Sequence, residues 1–174
     1  ITEISGKLEE AAPGSVAIIA SARQTNEELF LLKKLAAKFE ALTDSIARTG
    51  EADHLLVNGD KNPNTTGARL IGSASETPGS RVADITAGIE SGTIKSLIVF
   101  GEDVTQHGIS EALLDQLELL VVSDILPNAT TAKAHYLLPG CAHAEKRGTF
   151  TNVKGRVQKF MKSLEAVSYT QLRA

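Results

Sequence analysis

The chain has 174 residues, 42% of them hydrophobic, and a formal net charge of −3. That size and apolar content fit one α/β domain with a real core, and the acidic balance argues against nucleic acid as the main partner, because phosphate binding needs a basic face. The single cysteine, Cys141, excludes an internal disulfide, a cysteine-rich zinc site and a self-contained iron–sulfur cluster.

No apolar run approaches the roughly 18–20 residues that a membrane span requires, and no signal peptide is visible. A thiol-poor chain fits a reducing compartment.

Residues 1–14 read as a polar segment ending in the Pro13-Gly14 turn signal. Residues 16–20 (VAIIA) form an unbroken apolar run of strand length, as expected for a strand buried on both faces of a parallel sheet. Thr25 and Glu28 form a capping box, and Leu29, Leu32, Leu35, Ala36 and Phe39 come after it at helical spacing, so a helix should begin there and face the sheet. Residues 41–54 read as a short polar interval with Gly50 as a turn, and residues 55–57 as a second short strand.

Residues 60–67 (DKNPNTTG) read as a loop in which Pro63 fixes one φ and Asn64 can cap the next helical turn, at residues 68–71. Val82, Ile85 and Ile89 outline a helix ending at Gly92, and residues 96–100 (SLIVF) a strong strand. A helix over residues 110–117 with Ser110 as cap, a strand at residues 119–122 (LLVV), a short helix from Asn128 to about residue 134 and a last parallel strand at residues 136–138 complete the pattern. Residues 150–160 alternate loosely and predict an extended arm or hairpin. Strands separated by helices define an α/β fold: a Rossmann-like parallel sheet flanked by helices, with that C-terminal arm. The runs at 16–20, 96–100 and 119–122 should be neighbouring core strands. Ligands on such sheets sit at the C-terminal ends of strands, where residues 21–26, 58–64, 101–105, 123–128 and 139–145 should gather.

Several residues admit two readings. Gly148, Thr149, Phe150, Thr151 and Asn152 could cradle a phosphate or pterin group, or form a turn whose Thr and Asn side chains satisfy backbone; the second is preferred. Gly148, between a charged run and a Thr-rich run, is expected in a backbone conformation that other residues tolerate poorly. Glu145, Lys146 and Arg147 could be an active carboxylate with cationic neighbours, or a solvated or intersubunit charge cluster, again with the second preferred. The helix start at Thr25 could bind an anion, but Glu27 and Glu28 already answer the positive end of the dipole, so plain capping is preferred. Cys141 and His143 lack a third ligand nearby for a metal, and an orienting acid for nucleophilic catalysis. His54, His107 and His135 stand alone as surface or core residues. Gly-x-Gly-x-x-Gly and Gly-x-x-x-x-Gly-Lys patterns are absent, so a free-standing nucleotide-binding module has little support.

Residues 138–158 (LPGCAHAEKRGTFTNVKGRVQ) nevertheless carry a specific pattern. An apolar strand ends in Leu-Pro, and then come a Glu-Lys pair, Gly-Thr-Phe-Thr-Asn and Gly-Arg-Val-Gln. This run resembles a signature of the molybdopterin-oxidoreductase superfamily, and most closely that of the large iron–sulfur (G-type) subunit of NADH:quinone oxidoreductase, respiratory complex I. Residues 60–67 resemble that subunit's Asn-Pro-Asn turn, and residues 21–28 (SARQTNEE) resemble a helix opening in the same family. Pro139, Glu145, Lys146, Gly148, Asn152, Gly155 and Arg156 match the signature; Asp60, Asn62, Pro63, Asn64 and Gly67 match the turn.

The resemblance implies a molybdopterin-oxidoreductase-like α/β domain over residues 15–162, preceded by a polar segment (1–14). Residues 163–174 form a tail whose last part (167–174) is either a non-native scar or a divergent end. Because the chain opens at Ile1 and stops soon after the signature, it is expected to be a piece of a larger protein. The family's molybdenum ligand and second domain would fall between the first helix and the second strand, where residues 41–54 offer no cysteine. The first expectation is therefore a non-catalytic scaffold in an electron-transfer subunit. It would bind no cofactor, molybdenum or iron of its own, with iron–sulfur clusters carried upstream, and with other domains of the subunit and other respiratory-complex subunits as partners. It would sit in a cytoplasmic peripheral arm at the inner face of the plasma membrane, without membrane insertion. The alternative is a cofactor-binding domain of a molybdopterin-dependent oxidoreductase such as formate dehydrogenase. Ser21, Thr25, Asn26, Glu145, Gly148, Thr149 and Asn152 would then contact molybdopterin guanine dinucleotide.

Overall fold

The structure is a computed structural model, and residues 1–53 and 55–165 are described; His54 and the tail from residue 166 lie outside them. Helix α1 (Thr2–Glu9) leads to strand β1 (Val16–Ser21), helix α2 (Asn26–Phe39) and strand β2 (Leu42–Ile46). Helices α3 (Thr65–Ile71) and α4 (Val82–Glu90) precede strand β3 (Ser96–Phe100). Helix α5 (Glu111–Leu114), strand β4 (Leu119–Asp124), helix α6 (Ala129–Ala132) and strand β5 (Tyr136–Pro139) come next. Strands β6 (Gly148–Thr151) and β7 (Val157–Phe160) form the C-terminal hairpin. Strands β1 to β5 make one parallel sheet in the order β2-β1-β3-β4-β5, and the antiparallel β6–β7 pair stands apart from it.

Sequence dictates this layering through the two-residue period of a strand. In β1, Val16, Ile18 and Ala20 join the core layer that holds Leu29, Leu32 and Ala36 of α2, while Ala17 and Ile19 join the opposite layer with Val82, Ile85 and Ile89 of α4. Every residue of β1 is buried. Leu97 and Val99 of β3 share a layer with Leu120 and Val122 of β4, Ile98 the other with Val121. The expected adjacency of the three apolar runs is thus observed, with Ala17 opposite Leu97 and Leu97 opposite Leu120.

One expectation is corrected. The second strand lies at Leu42–Ile46, inside the interval expected to be a polar connection, and not at residues 55–57. Its Thr-Asp-Ser centre hid it: Asp44 is 1% exposed, accepting hydrogen bonds from the N–H groups of Ser45 (2.8 Å) and Arg81 (2.7 Å). Residues 55–57 form a turn instead, because one oxygen of Asp53 accepts from the N–H groups of Leu55, Leu56 and Val57 at 2.9, 2.8 and 2.7 Å. The segment read as polar, residues 1–14, carries helix α1, which the sequence pattern did not assign. Ile4 and Leu8, one turn apart, face the core from it, and the Tyr136 hydroxyl donates to Glu3, tying it to β5.

Other elements agree with the pattern. The capping box at Thr25 is present, with the Glu28 N–H donating to the Thr25 hydroxyl (3.2 Å) and the Thr25 N–H to the Glu28 carboxylate (2.7 Å). Ser110 caps α5, which is shorter than its pattern, and Asn128 caps α6. Asn64 occupies the cap position of α3 but its side chain is used elsewhere. In the hairpin, Phe150 and Phe160 stack with ring centroids 4.6 Å apart, and Gly155 supplies the positive φ of +78° that its turn requires.

Candidate functional site

The three motifs singled out in the sequence meet one another. Asn64, 0% exposed, donates to the Gln24 carbonyl (2.8 Å) and accepts from the Thr151 N–H (2.7 Å). Asn26, on the first turn of α2, donates to the hydroxyls of Thr149 and Thr151, each at 3.0 Å. Glu27 accepts from the Thr149 N–H and hydroxyl, both at 2.9 Å. The Lys146 ammonium bonds both oxygens of Glu28, at 2.9 and 2.8 Å, and so completes the capping box from outside. These bonds form a clasp that holds β6 across the starts of α2 and α3.

Two glycines make the clasp sterically feasible. A Cβ at Gly67 would lie 2.1 Å from Asn64 Oδ1 and 2.2 Å from Asn26 Oδ1. At Gly148 a Cβ would lie 2.7 Å from Thr25 Cγ2 and 3.0 Å from Glu27 Oε2. Gly148 sits in extended β6 and is absent from the glycines with positive φ, which corrects the sequence expectation: space, not backbone conformation, demands glycine there. Gly148→Ala should cost about 1–2 kcal/mol, measured by urea unfolding; a variant as stable as the parent would show that α2 and β6 pack less closely.

Partial burial pushes the Glu27 carboxyl up, but the bonds from the Thr149 N–H and hydroxyl outweigh it, and the net pKa lies below the usual carboxylate value of 4.5. At Asp103 burial again pushes the carboxyl up, and hydrogen bonds from Thr105 and Thr130 outweigh it, so the net pKa is lowered. A carboxyl depressed in the folded state takes up protons more readily once unfolded, so its stabilisation is complete above the ordinary value and is lost as pH falls through the folded one. Denaturation midpoints should therefore fall with pH below about 4.5. Glu27→Gln should flatten part of that slope; an unchanged slope would remove Glu27 from the clasp's electrostatics.

Beside the clasp, a cleft of about 860 Å³ opens over the C-terminal ends of β1, β3, β4 and β5. Its walls come from the segments that the parallel-sheet rule placed there: Ser21 and Arg23 after β1, Gly101 and Asp103 after β3, residues 123–128 after β4, and residues 139–141, His143 and Lys146 after β5. The strand order changes direction between β1 and β3, which is where doubly wound sheets open a crevice for ligands. Leu31, Phe100, Ile125 and Leu126 give it apolar surface. Asp124 is anchored at its rim, one oxygen accepting from the Ile125 N–H (2.7 Å) and the other from the Asn128 amide (2.8 Å).

Of the residues expected to contact a cofactor, Ser21 lines this cleft. Thr25 is a buried cap, and Asn26, Gly148 and Thr149 belong to the clasp. Glu145 accepts from the Ala142 N–H (2.8 Å), and Asn152 closes the hairpin turn by accepting from the N–H groups of Lys154 and Arg156, each at 3.0 Å. Arg23, Arg48, Glu102 and Asp124 were not singled out; their signal was position, each at or just beyond a strand's C-terminal end. Cys141 and His143 line the cleft, and the described residues hold no group of three or more His, Cys, Asp or Glu side chains able to bind a metal. No described helix is long and apolar enough to cross a membrane.

A parallel sheet with helices on both faces and a cleft at its switch point is the architecture of a doubly wound α/β domain. Residues 41–169 match the molybdopterin oxidoreductase family, and the chain belongs to that family. It is 40% identical over 84 residues to the NADPH-Fe(3+) oxidoreductase subunit alpha of Geobacter sulfurreducens, covering 46% of this chain and 10% of that protein. It is 36% identical over 93 residues to a candidate formate dehydrogenase of Staphylococcus haemolyticus, covering 51% of this chain and 10% of that protein. A candidate formate dehydrogenase of Staphylococcus aureus is 34% identical over 86 residues, 47% of this chain and 9% of that protein. The matched stretch thus spans about a tenth of the length of these relatives. None of the three carries a complex I name, so they favour the formate-dehydrogenase-like alternative over the complex I reading.

Proposed function

We propose that the chain is a segment of the cofactor-binding domain of a molybdopterin-dependent oxidoreductase of the formate-dehydrogenase kind. Within a longer polypeptide, its cleft would receive part of a molybdopterin guanine dinucleotide. The observation that carries this reading is the cleft itself, at the switch point of the sheet in a chain of this family. Its donor set suits such a group. The Asp124 carboxylate is the acceptor a guanine's N–H edge needs, and the Asn128 amide holds it in place. Ile125, Leu126 and Leu31 offer apolar surface to a planar ring. Near Gly140 a side chain would meet the Asp124 backbone at 3.3 Å, so glycine keeps the β4 and β5 loops close together.

When bound, the cofactor supplies two-electron redox chemistry at its metal. The chain's own residues bind and orient it, and the clasp fixes the wall formed by α2 and residues 139–148. The Geobacter sulfurreducens relative is a subunit alpha, which supports other subunits as partners of the longer polypeptide.

A second reading has one observation in its favour. Asn26, Thr149, Thr151 and Asn64 are spent on one another in the clasp. This suits a scaffold that keeps the fold without the cofactor, as in the iron–sulfur subunit of complex I. Elemental analysis of the full polypeptide, purified from cells able to make molybdopterin, separates the two. Stoichiometric molybdenum with guanine nucleotide released on denaturation is expected. Neither appearing would overturn the first reading and favour the scaffold.

A further inference from the structure

Charge is segregated along this chain. Residues 1–146 hold 12 Lys and Arg against 20 Asp and Glu, whereas residues 147–164, the β6–β7 hairpin and its flanks, hold five cations and no acid. Lys162 is paired with Glu165 at 2.7 Å. The other four, Arg147, Lys154, Arg156 and Lys159, are exposed, and no ion pair reaches them among the described residues.

The hairpin also overhangs the body. Alternate residues of a strand share a face, so Thr149 and Thr151 of β6 lie on one face with their register partners Lys159 and Val157 of β7. On β6 that face grips α2 and α3 through Asn26 and Asn64. On β7 it stays exposed, with Val157 60% accessible. Val153 at the turn and Met161 beyond β7 are exposed as well. Phe150 and Phe160 stack on the opposite face and hold β7 to β6. Cations on an edge strand discourage other strands from pairing with it. That accounts for Lys159 in mid-strand, but not for aliphatic side chains interleaved with the cations, which favour association.

We propose that the overhanging face of the β6–β7 hairpin docks on an acidic surface with an apolar centre, supplied by another part of the same polypeptide outside residues 1–174. Placing that surface in the same polypeptide rests on the longer-polypeptide reading above; no cofactor is required. The stretch matched to the relatives is about a tenth of their length, so most of each relative lies outside it. Aliphatic side chains ringed by cations have the anatomy of a protein interface, an apolar core with a polar rim. Complementary charge sets the partner and its orientation. An extended polyanion fits less well, because the acidic remainder of the chain would repel it. Nucleic-acid strands also need free aromatic faces, and bilayer interfaces favour Trp and Tyr. Here the two hairpin aromatics cover each other, and the chain has no Trp.

Carbodiimide coupling of the native full-length polypeptide, followed by mass spectrometry of the monomeric band, tests this, because it joins a lysine ammonium to a carboxylate already in contact. Lys95 should couple to Glu118, its partner at 2.7 Å, as the internal standard. Lys154 and Lys159 should couple to Asp or Glu outside residues 1–174. Combining Lys154→Glu, Arg156→Glu and Lys159→Glu should speed deuterium uptake at the 157–160 amides of the full polypeptide about tenfold or more, with uptake in β1 unchanged. Val157→Ser should raise uptake in the same place, and serves if the triple variant does not fold. Docking is overturned if Lys154 and Lys159 couple to no outside carboxylate, or only to a second copy or a separate subunit. Unchanged uptake in the folded variants overturns it too, as does charge-dependent binding of the hairpin to phosphatidylglycerol vesicles or single-stranded DNA in place of those couplings. A native polypeptide of this chain's own mass would sink the longer-polypeptide reading as well; a longer one without the couplings would sink the docking alone.

Discussion

Replacing Gly67 by alanine should destabilise the chain by about 2–3 kcal/mol. A methyl group there would lie 2.1 and 2.2 Å from two asparagine oxygens that belong to short, hydrogen-bonded side chains. Neither can withdraw without breaking the clasp, and Gly67 itself is buried in α3. Equilibrium urea unfolding should show the loss, and hydrogen exchange should show β6 losing protection first. A Gly67→Ala variant with the parent's midpoint would mean that α2, α3 and β6 are not clasped as described.

Asn64→Ala attacks the same clasp from its polar side, with an expected cost of about 2–4 kcal/mol. The Asn64 side chain is the partner of two backbone groups, the Gln24 carbonyl and the Thr151 N–H, and both would be left in a dry environment. Asn64→Asp keeps the acceptor for Thr151 but loses the donor for Gln24, so it should fall between parent and alanine. Equal stability of all three proteins, measured by the same unfolding experiment, would contradict the assigned bonds.

Much of the sheet was legible because β1, β3 and β4 are unbroken apolar runs and α2 carries a complete capping box. Strand β2 was not, because an edge strand with buried Asp44 and Ser45 breaks the hydrophobic pattern that local reading depends on. Helix α1 was missed because only Ile4 and Leu8 mark its buried face. The motif residues were recognised, but their partners were not: Lys146 meets Glu28, and Thr151 meets Asn64, across 118 and 87 positions of sequence. No local pattern encodes such pairings. Glu102 obeys the same logic, since its burial depends on Ser21, Arg23 and Arg48 arriving from other strands.

The nucleotide-binding surface we propose for this chain is the C-terminal edge of its parallel sheet. Titrating isotope-labelled protein with GDP and tracking backbone amide shifts by NMR tests it most directly. Perturbation should concentrate at Gly101, at residues 123–128 and at residues 140–146, around the cleft. Perturbation confined to the opposite groove, beside Lys7, Gly14 and Lys95, or no perturbation at all, would contradict the account.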